Sequence, residues 1–187
     1  MDVPTMLQQA VAEFGGRVRQ ISDEQWAAGT PDQEWTVRDL VSHVVSEDLW
    51  APPLFAGSTV SEVGDRFDGD VLGADPRESW RAASAAAVRA ATEPGAMDRT
   101  VHLSFGDFPG REYTMQLFAD HLIHAWDLAR AIGASEQLDA GLVGGCSAWF
   151  AGVEAAYRSG GVIAERPAIP AGAGPQVQLL AMFGRRA

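Results

Sequence analysis

The segment Tyr113–Gly133, YTMQLFADHLIHAWDLARAIG, decides how this chain is read. At about 100° per residue, Leu117, Phe118, Ala119, Leu122, Ile123, Ala125, Trp126, Leu128, Ala129 and Ile132 point in nearly every direction around a helix. A helix that is apolar all round belongs in a protein core. Gln116, Asp120, His124 and Asp127 break the pattern and fall together in one narrow stripe. Buried carboxylates and imidazoles are costly unless they are paired or bound to a metal. Asp120 and His124 are four residues apart, so they point the same way and are spaced to grip one ion. The competing reading is the solvent face of an amphipathic helix. Such faces usually carry Lys, Glu or Arg, and this stripe has none.

The rest of the chain supplies helices for that segment to pack against. Residues 3–21 carry Met6, Val11, Phe14, Val18 and Ile21 at helical spacing. Residues 22–35 read as a loop. A second helix, VRDLVSHVVSEDLW, follows Thr36 as N-cap with Asp39 three residues on, and is expected to stop before Pro52 and Pro53. Residues 51–74 read as an irregular excursion. A third helix opens at Asp75-Pro76-Arg77-Glu78, with an N-cap, a proline at the first helical position and a carboxylate in the first turn. TVHLSFGDFPGREY suggests a small hairpin turning at Gly106-Asp107. Gly133 is expected to cap the fourth helix, a fifth runs over about 139–158, and VQLLAMFG forms a short last one. The predicted fold is all-α: a four-helix bundle with a small β-hairpin before the fourth helix, in one domain over 1–187.

Bundles build metal sites from side chains on facing helices. On the second helix His43 lies about 60° from Leu40, at the margin of the arc Leu40, Val41, Val44 and Val45, and Glu47 is one turn on. A lone histidine there is usually structural. Joined to Asp120 and His124, it completes two imidazoles and one carboxylate, a set of three that leaves a coordination position open. His121 is a competing candidate, but it sits about 100° around the helix from Asp120.

Composition narrows the function classes. The chain has 187 residues, is 47% hydrophobic and 21% charged, and carries a net charge of −11. So acidic a body repels phosphate backbones and anionic lipid, so neither nucleic acid nor membrane is expected as partner. All 14 basic residues are arginine, which excludes lysine Schiff bases and a P-loop lysine. Cys146 is the only cysteine, so no internal disulfide forms; it reads as a small core residue. The N-terminus lacks the pattern of a signal peptide and no run reaches ~18 apolar residues. The expected location is cytoplasmic.

Two blocks, EWTVRDLVSHVV (34–45) and FGDFPGREYTMQLFADHLIHAWDLARAIG (105–133), together with the terminal LLAMFGRRA, resemble the DinB/YfiT-like metal-binding superfamily. Within it they are similar to the actinobacterial branch containing the N-terminal domain of mycothiol-dependent maleylpyruvate isomerase. The resemblance covers most of the chain. It implies a divalent metal held by His43, Asp120 and His124, with mycothiol as co-substrate; two imidazole ligands suit zinc or nickel. Members usually carry histidine or glutamate where Asp120 stands, so this chain departs from its relatives at one ligand. At 187 residues the chain is expected to be too short to include the extra C-terminal domain of the full isomerase.

Three functions follow as expectations. One is a thiol-dependent isomerase or S-transferase acting on a small electrophile, in which Glu47 or Asp127 handles a proton or orients a ligand histidine. The second is a non-catalytic metal-binding or relict-site bundle. The third is a helical interaction protein without metal. Trp35, Trp50 and Trp126 lie near the proposed ligands in sequence and are candidate pocket walls. Arg38, Arg81, Arg111 and Arg130 sit on separate elements. Related bundles often pair, so a homodimer is a candidate assembly.

Overall fold

The computed structural model describes residues 1–32 and 34–187; Gln33, within the predicted 22–35 loop, lies outside them. Among the described residues there are seven α-helices: α1 (Val3–Val18), α2 (Val37–Phe55), α3 (Val60–Val63), α4 (Pro76–Thr92), α5 (Gly110–Ile132), α6 (Ala140–Ser159) and α7 (Pro175–Met182). A two-stranded antiparallel hairpin, β1 (Thr100–Leu103) and β2 (Gly106–Pro109), precedes α5. None of these helices is long and apolar enough to cross a membrane.

Helix starts follow local side-chain chemistry. Asp2 accepts from the Thr5 amide at 2.9 Å and opens α1. Thr36 and Asp39 form the expected reciprocal box: the Thr36 amide donates to Asp39 at 2.9 Å and the Asp39 amide to the Thr36 hydroxyl at 3.2 Å. Asp75 accepts from the Glu78 amide at 3.1 Å, and Pro76 begins α4 where a missing N–H costs nothing. Gly133 closes α5 in the left-handed region, φ +70°.

The bundle proper is α1, α2, α4 and α5. Sixteen of the 23 residues of α5 are buried, which makes it the central helix. Its neighbours on α2 run in reverse order: His43 beside His124, Asp48 beside His121, Phe55 beside Tyr113. The two helices are therefore antiparallel. The alanine face of α4 (Ala83, Ala87, Ala90, Ala91) is buried, and small side chains there allow close approach. Gly110 starts α5 where a Cβ would collide with the Ala96 carbonyl, so backbone packing requires glycine. The helix α6 lies against α1 and α5 through Leu142, Val143, Cys146 and Phe150, and Cys146 is a fully buried core residue. Phe183, just after α7, stacks on Phe150 with ring centroids 3.9 Å apart.

Two local expectations are corrected. Helix α2 does not stop before the prolines but runs through Pro52 and Pro53 to Phe55. Proline's own φ is helical; its cost falls on the preceding turn, and burial of Leu54 and Phe55 holds the last turn in place. The hairpin turns at Ser104-Phe105, not Gly106-Asp107, because Leu103 pairs with Gly106 and His102 with Asp107. Gly106, at φ +142°, takes the first position of β2. The 51–74 excursion also contains the single turn α3.

Candidate metal centre

The polar stripe of α5 does not face solvent. Asp120 is half-buried, and His124 and Asp127 are buried against the rest of the bundle. The antiparallel run of α2 brings His43 over the same spot. One ligand atom from each of His43, Asp120 and His124 lies within 4.8 Å of the others, and this is the only such group of three His, Cys, Asp or Glu residues among those described. Asp120 Oδ1 is 3.2 Å from His43 Nε2 and 3.3 Å from His124 Nε2. Donors held at about 2.0–2.2 Å around a tetrahedral ion are separated by about 3.3–3.6 Å. The two edges that meet at Asp120 Oδ1 are at or just below that range, and the third is within 4.8 Å. Asp120 Oδ2 is buried without a hydrogen-bond partner, leaving an acceptor uncommitted beside the three donors. The donor set could thus hold a metal ion.

The His124 ring is fixed on both edges. Its Nδ1 is 2.9 Å from Asp127 Oδ2, the outer contact that metal-binding histidines commonly make. Burial pulls the His124 imidazolium down, but the carboxylates of Asp120 and then Asp127 outweigh it and push its pKa up to about 9. Asp120 shows the reverse balance: burial pushes it up, and the adjoining His43 and His124 rings hold it well below the usual carboxylate range. Trp35 covers both imidazoles, with its ring centroid 4.9 Å from His43 and 5.8 Å from His124. Glu47 is half-buried near the group; burial first, then the charge of Asp120, raises its pKa, while His43 and His124 act in the opposite sense.

Two residues beside the centre escaped the sequence reading. Arg185 grips Asp127 with Nη2–Oδ2 at 2.8 Å and Nε–Oδ1 at 3.3 Å, from 58 positions along the chain. The visible signals were the terminal LLAMFGRRA block of the resemblance and, within it, a glycine followed by two arginines. Asp48, fully buried, faces His121 with an oxygen 3.3 Å from Nε2. His121 Nδ1 lies 2.9 Å from the Leu117 carbonyl. His121 is therefore a core histidine that faces Asp48 and is bonded to its own helix, and it is not one of the three clustered donors.

The remaining candidates separate. Trp50 packs on Phe67, Trp126 is buried beneath the Arg130 guanidinium, which lies 4.8 Å from its ring, and Trp35 is the one of the three whose ring lies over the candidate ligand rings. Arg38 pairs with Asp70 and Arg81 with Glu78, on separate surfaces. His102 pairs with Asp107 on the hairpin at 2.7 Å. Arg130 lines a cavity of about 820 Å³ together with Arg185, Arg186, Asp32 and Glu34. Arg185 is shared between that cavity and the Asp127–His124 contact.

Comparison with known proteins bears on the same segments. The profile of the family described as "Mycothiol maleylpyruvate isomerase N-terminal domain" matches residues 7–129, a span that includes His43, Asp120, His124 and Asp127. Two uncharacterized proteins of Mycobacterium tuberculosis, from strains CDC 1551 and H37Rv, are each 34% identical over 143 residues, covering 74% of this chain and 72% of theirs. No solved structure matches significantly. The chain belongs to the mycothiol maleylpyruvate isomerase N-terminal domain family.

Proposed function

We propose that His43, Asp120 and His124 bind one divalent ion, zinc or nickel, and that the loaded protein is a thiol-dependent isomerase or S-transferase for a small electrophile. The observation that carries the metal reading is the spacing of the three donors, 3.2 and 3.3 Å along the two edges that meet at Asp120 Oδ1. Family membership supports the thiol. When bound, such an ion supplies a Lewis acid that favours a thiolate over a thiol.

The chain's own groups have distinct tasks in this reading. His43 and His124 present Nε2, and Asp120 presents Oδ1. Asp127 holds the Nδ1 proton of His124 and so keeps its Nε2 lone pair aimed at the ion site. Trp35 covers the imidazoles and limits water on that side. Glu47 accepts the thiol proton; its raised pKa brings a carboxyl closer to neutral, where proton exchange is efficient. The thiolate then adds to an electrophilic carbon of the acceptor. For isomerisation, rotation about the former double bond and expulsion of the same thiolate restore the alkene. For transfer, a leaving group departs and the C–S bond remains.

A second reading, a metal-binding bundle without turnover, is favoured by Asp120. It is one methylene shorter than glutamate, and a reacting centre displaced by ~1 Å loses much of its catalytic advantage. Elemental analysis and assay separate the two. Purified protein should hold close to one equivalent of zinc or nickel, and His124→Ala should hold none. Metal-loaded protein is then assayed with mycothiol and a panel of maleylpyruvate and alkylating electrophiles. Turnover that disappears in His43→Ala and in metal-stripped protein supports catalysis. Thiol consumption no faster than the protein-free rate across the panel leaves the binding reading.

A further inference from the structure

We infer that Arg185 is a positioning residue for the metal centre, and that docking of the C-terminal segment is coupled through Asp127 to the orientation of His124. The inference rests on the metal reading above.

Asp127 is fully buried. A buried carboxylate is tolerated only with charged or hydrogen-bonding partners, and this one has two: His124 Nδ1 at 2.9 Å and the Arg185 guanidinium at 2.8 and 3.3 Å. The guanidinium meets the carboxylate along an edge, contacting both oxygens, which sets the plane of the carboxylate as well as its place. That plane in turn determines where the His124 Nδ1 proton must point. Rotation of His124 about its Cβ–Cγ bond would swing Nε2 away from Asp120 Oδ1 and open the three-donor group.

The end of the chain is built to deliver this guanidinium. Helix α7 closes with the Gly184 amide donating to the Ala181 carbonyl at 3.0 Å and the Arg185 amide to the Leu180 carbonyl at 2.8 Å. The reversal needs Gly184 at φ +79°, where a Cβ would also crowd Ala164. Three arginines then pin the segment to the bundle. Arg158 donates to the Met182 carbonyl at 2.6 Å, Arg130 to the Arg186 carbonyl at 2.7 Å, and Arg185 itself reaches Asp127. The part of the chain shared with the family profile ends at residue 129, so this partner of the metal ligand comes from outside it.

Charge and positioning predict opposite signs, which makes the inference testable. Removing a cation near a metal site would by charge alone tighten cation binding. Loss of orientation would weaken it, by about tenfold or more for an outer-contact residue. Zinc affinity is measured by chelator competition for wild type, Arg185→Gln, Asp127→Asn and the double variant. Weakening of about tenfold in each single variant, with the double variant no weaker than Asp127→Asn alone, is expected. Arg185→Lys keeps the charge without the planar fork and should recover only part of the affinity. In metal-free protein, the His124 Nδ1 proton should appear in ¹⁵N–¹H spectra as a slowly exchanging, hydrogen-bonded signal that is lost or exchange-broadened in Arg185→Gln. Unchanged or tighter zinc binding in a folded Arg185→Gln protein, additive losses in the double variant, or an unaltered Nδ1 proton would overturn the inference. If wild type takes up no zinc, the metal reading falls, and the Nδ1 proton of the metal-free proteins still decides whether Arg185 orients His124.

Discussion

Raising the pH from 7 to 9 should strengthen zinc binding about 50-fold. Without metal, the two ring nitrogens of His124 face Asp120 at 3.3 Å and Asp127 at 2.9 Å, an arrangement satisfied by a doubly protonated ring. Burial opposes that charge, but the two carboxylates prevail and the pKa stands at about 9. A metal takes only the neutral ring through Nε2, so below pH 9 each ion bound must displace one proton. One displaced proton changes apparent affinity about tenfold per pH unit well below the pKa and less as the pKa is reached, hence about 50-fold from pH 7 to 9. Stability of the metal-free protein should move the other way. A raised histidine pKa contributes stability that is complete below its unfolded value near 6.5 and is lost as pH rises through about 9. The shift from 6.5 to about 9 corresponds to at most roughly 3–4 kcal/mol at about 1.4 kcal/mol per unit. The assays are chelator competition with a chelator calibrated at each pH, and thermal unfolding of metal-stripped protein followed by circular dichroism. Zinc affinity constant across pH 7–9, or a metal-free melting temperature that rises over that window, would refute the assignment of His124 as a charged, carboxylate-paired ligand.

Other perturbations test the frame around the centre. His121→Ala should retain metal yet destabilise the fold by about 3–5 kcal/mol, because it leaves the buried Asp48 carboxylate unpartnered; denaturant unfolding and elemental analysis of one preparation read both outcomes. Gly110→Ala pushes a methyl into the Ala96 carbonyl at the start of the central helix and should cost at least about 1–3 kcal/mol or prevent soluble expression. Thr36→Ala removes half of the box that opens α2 and should lower stability by about 1 kcal/mol in urea unfolding, leaving zinc stoichiometry unchanged because His43 lies two turns further on.

The sequence by itself determined what acts within a turn or two of helix. Asp2, Thr36, Asp75 and Gly133 mark helix ends because a side chain or a left-handed glycine satisfies nearby backbone groups, whatever the rest of the chain does. The all-round apolar character of α5 determined that it is central, and the four-residue spacing of Asp120 and His124 put both on one side of it. His43 was legible from its place at the edge of an apolar arc and from the resemblance of its block. Only tertiary structure decided which buried charges pair. Local spacing put Asp127 beside His124, but nothing local shows that Arg185, 58 residues away, holds it, or ties His121 to Asp48 on another helix. The same holds for Pro52 and Pro53, where burial of Leu54 and Phe55 outweighs the local signal to stop. Capping and periodicity are short-range and recur in any chain. A buried ion pair exists only where two helices, or a helix and a tail, cross at the right height, and that height is set by the packing of the whole core.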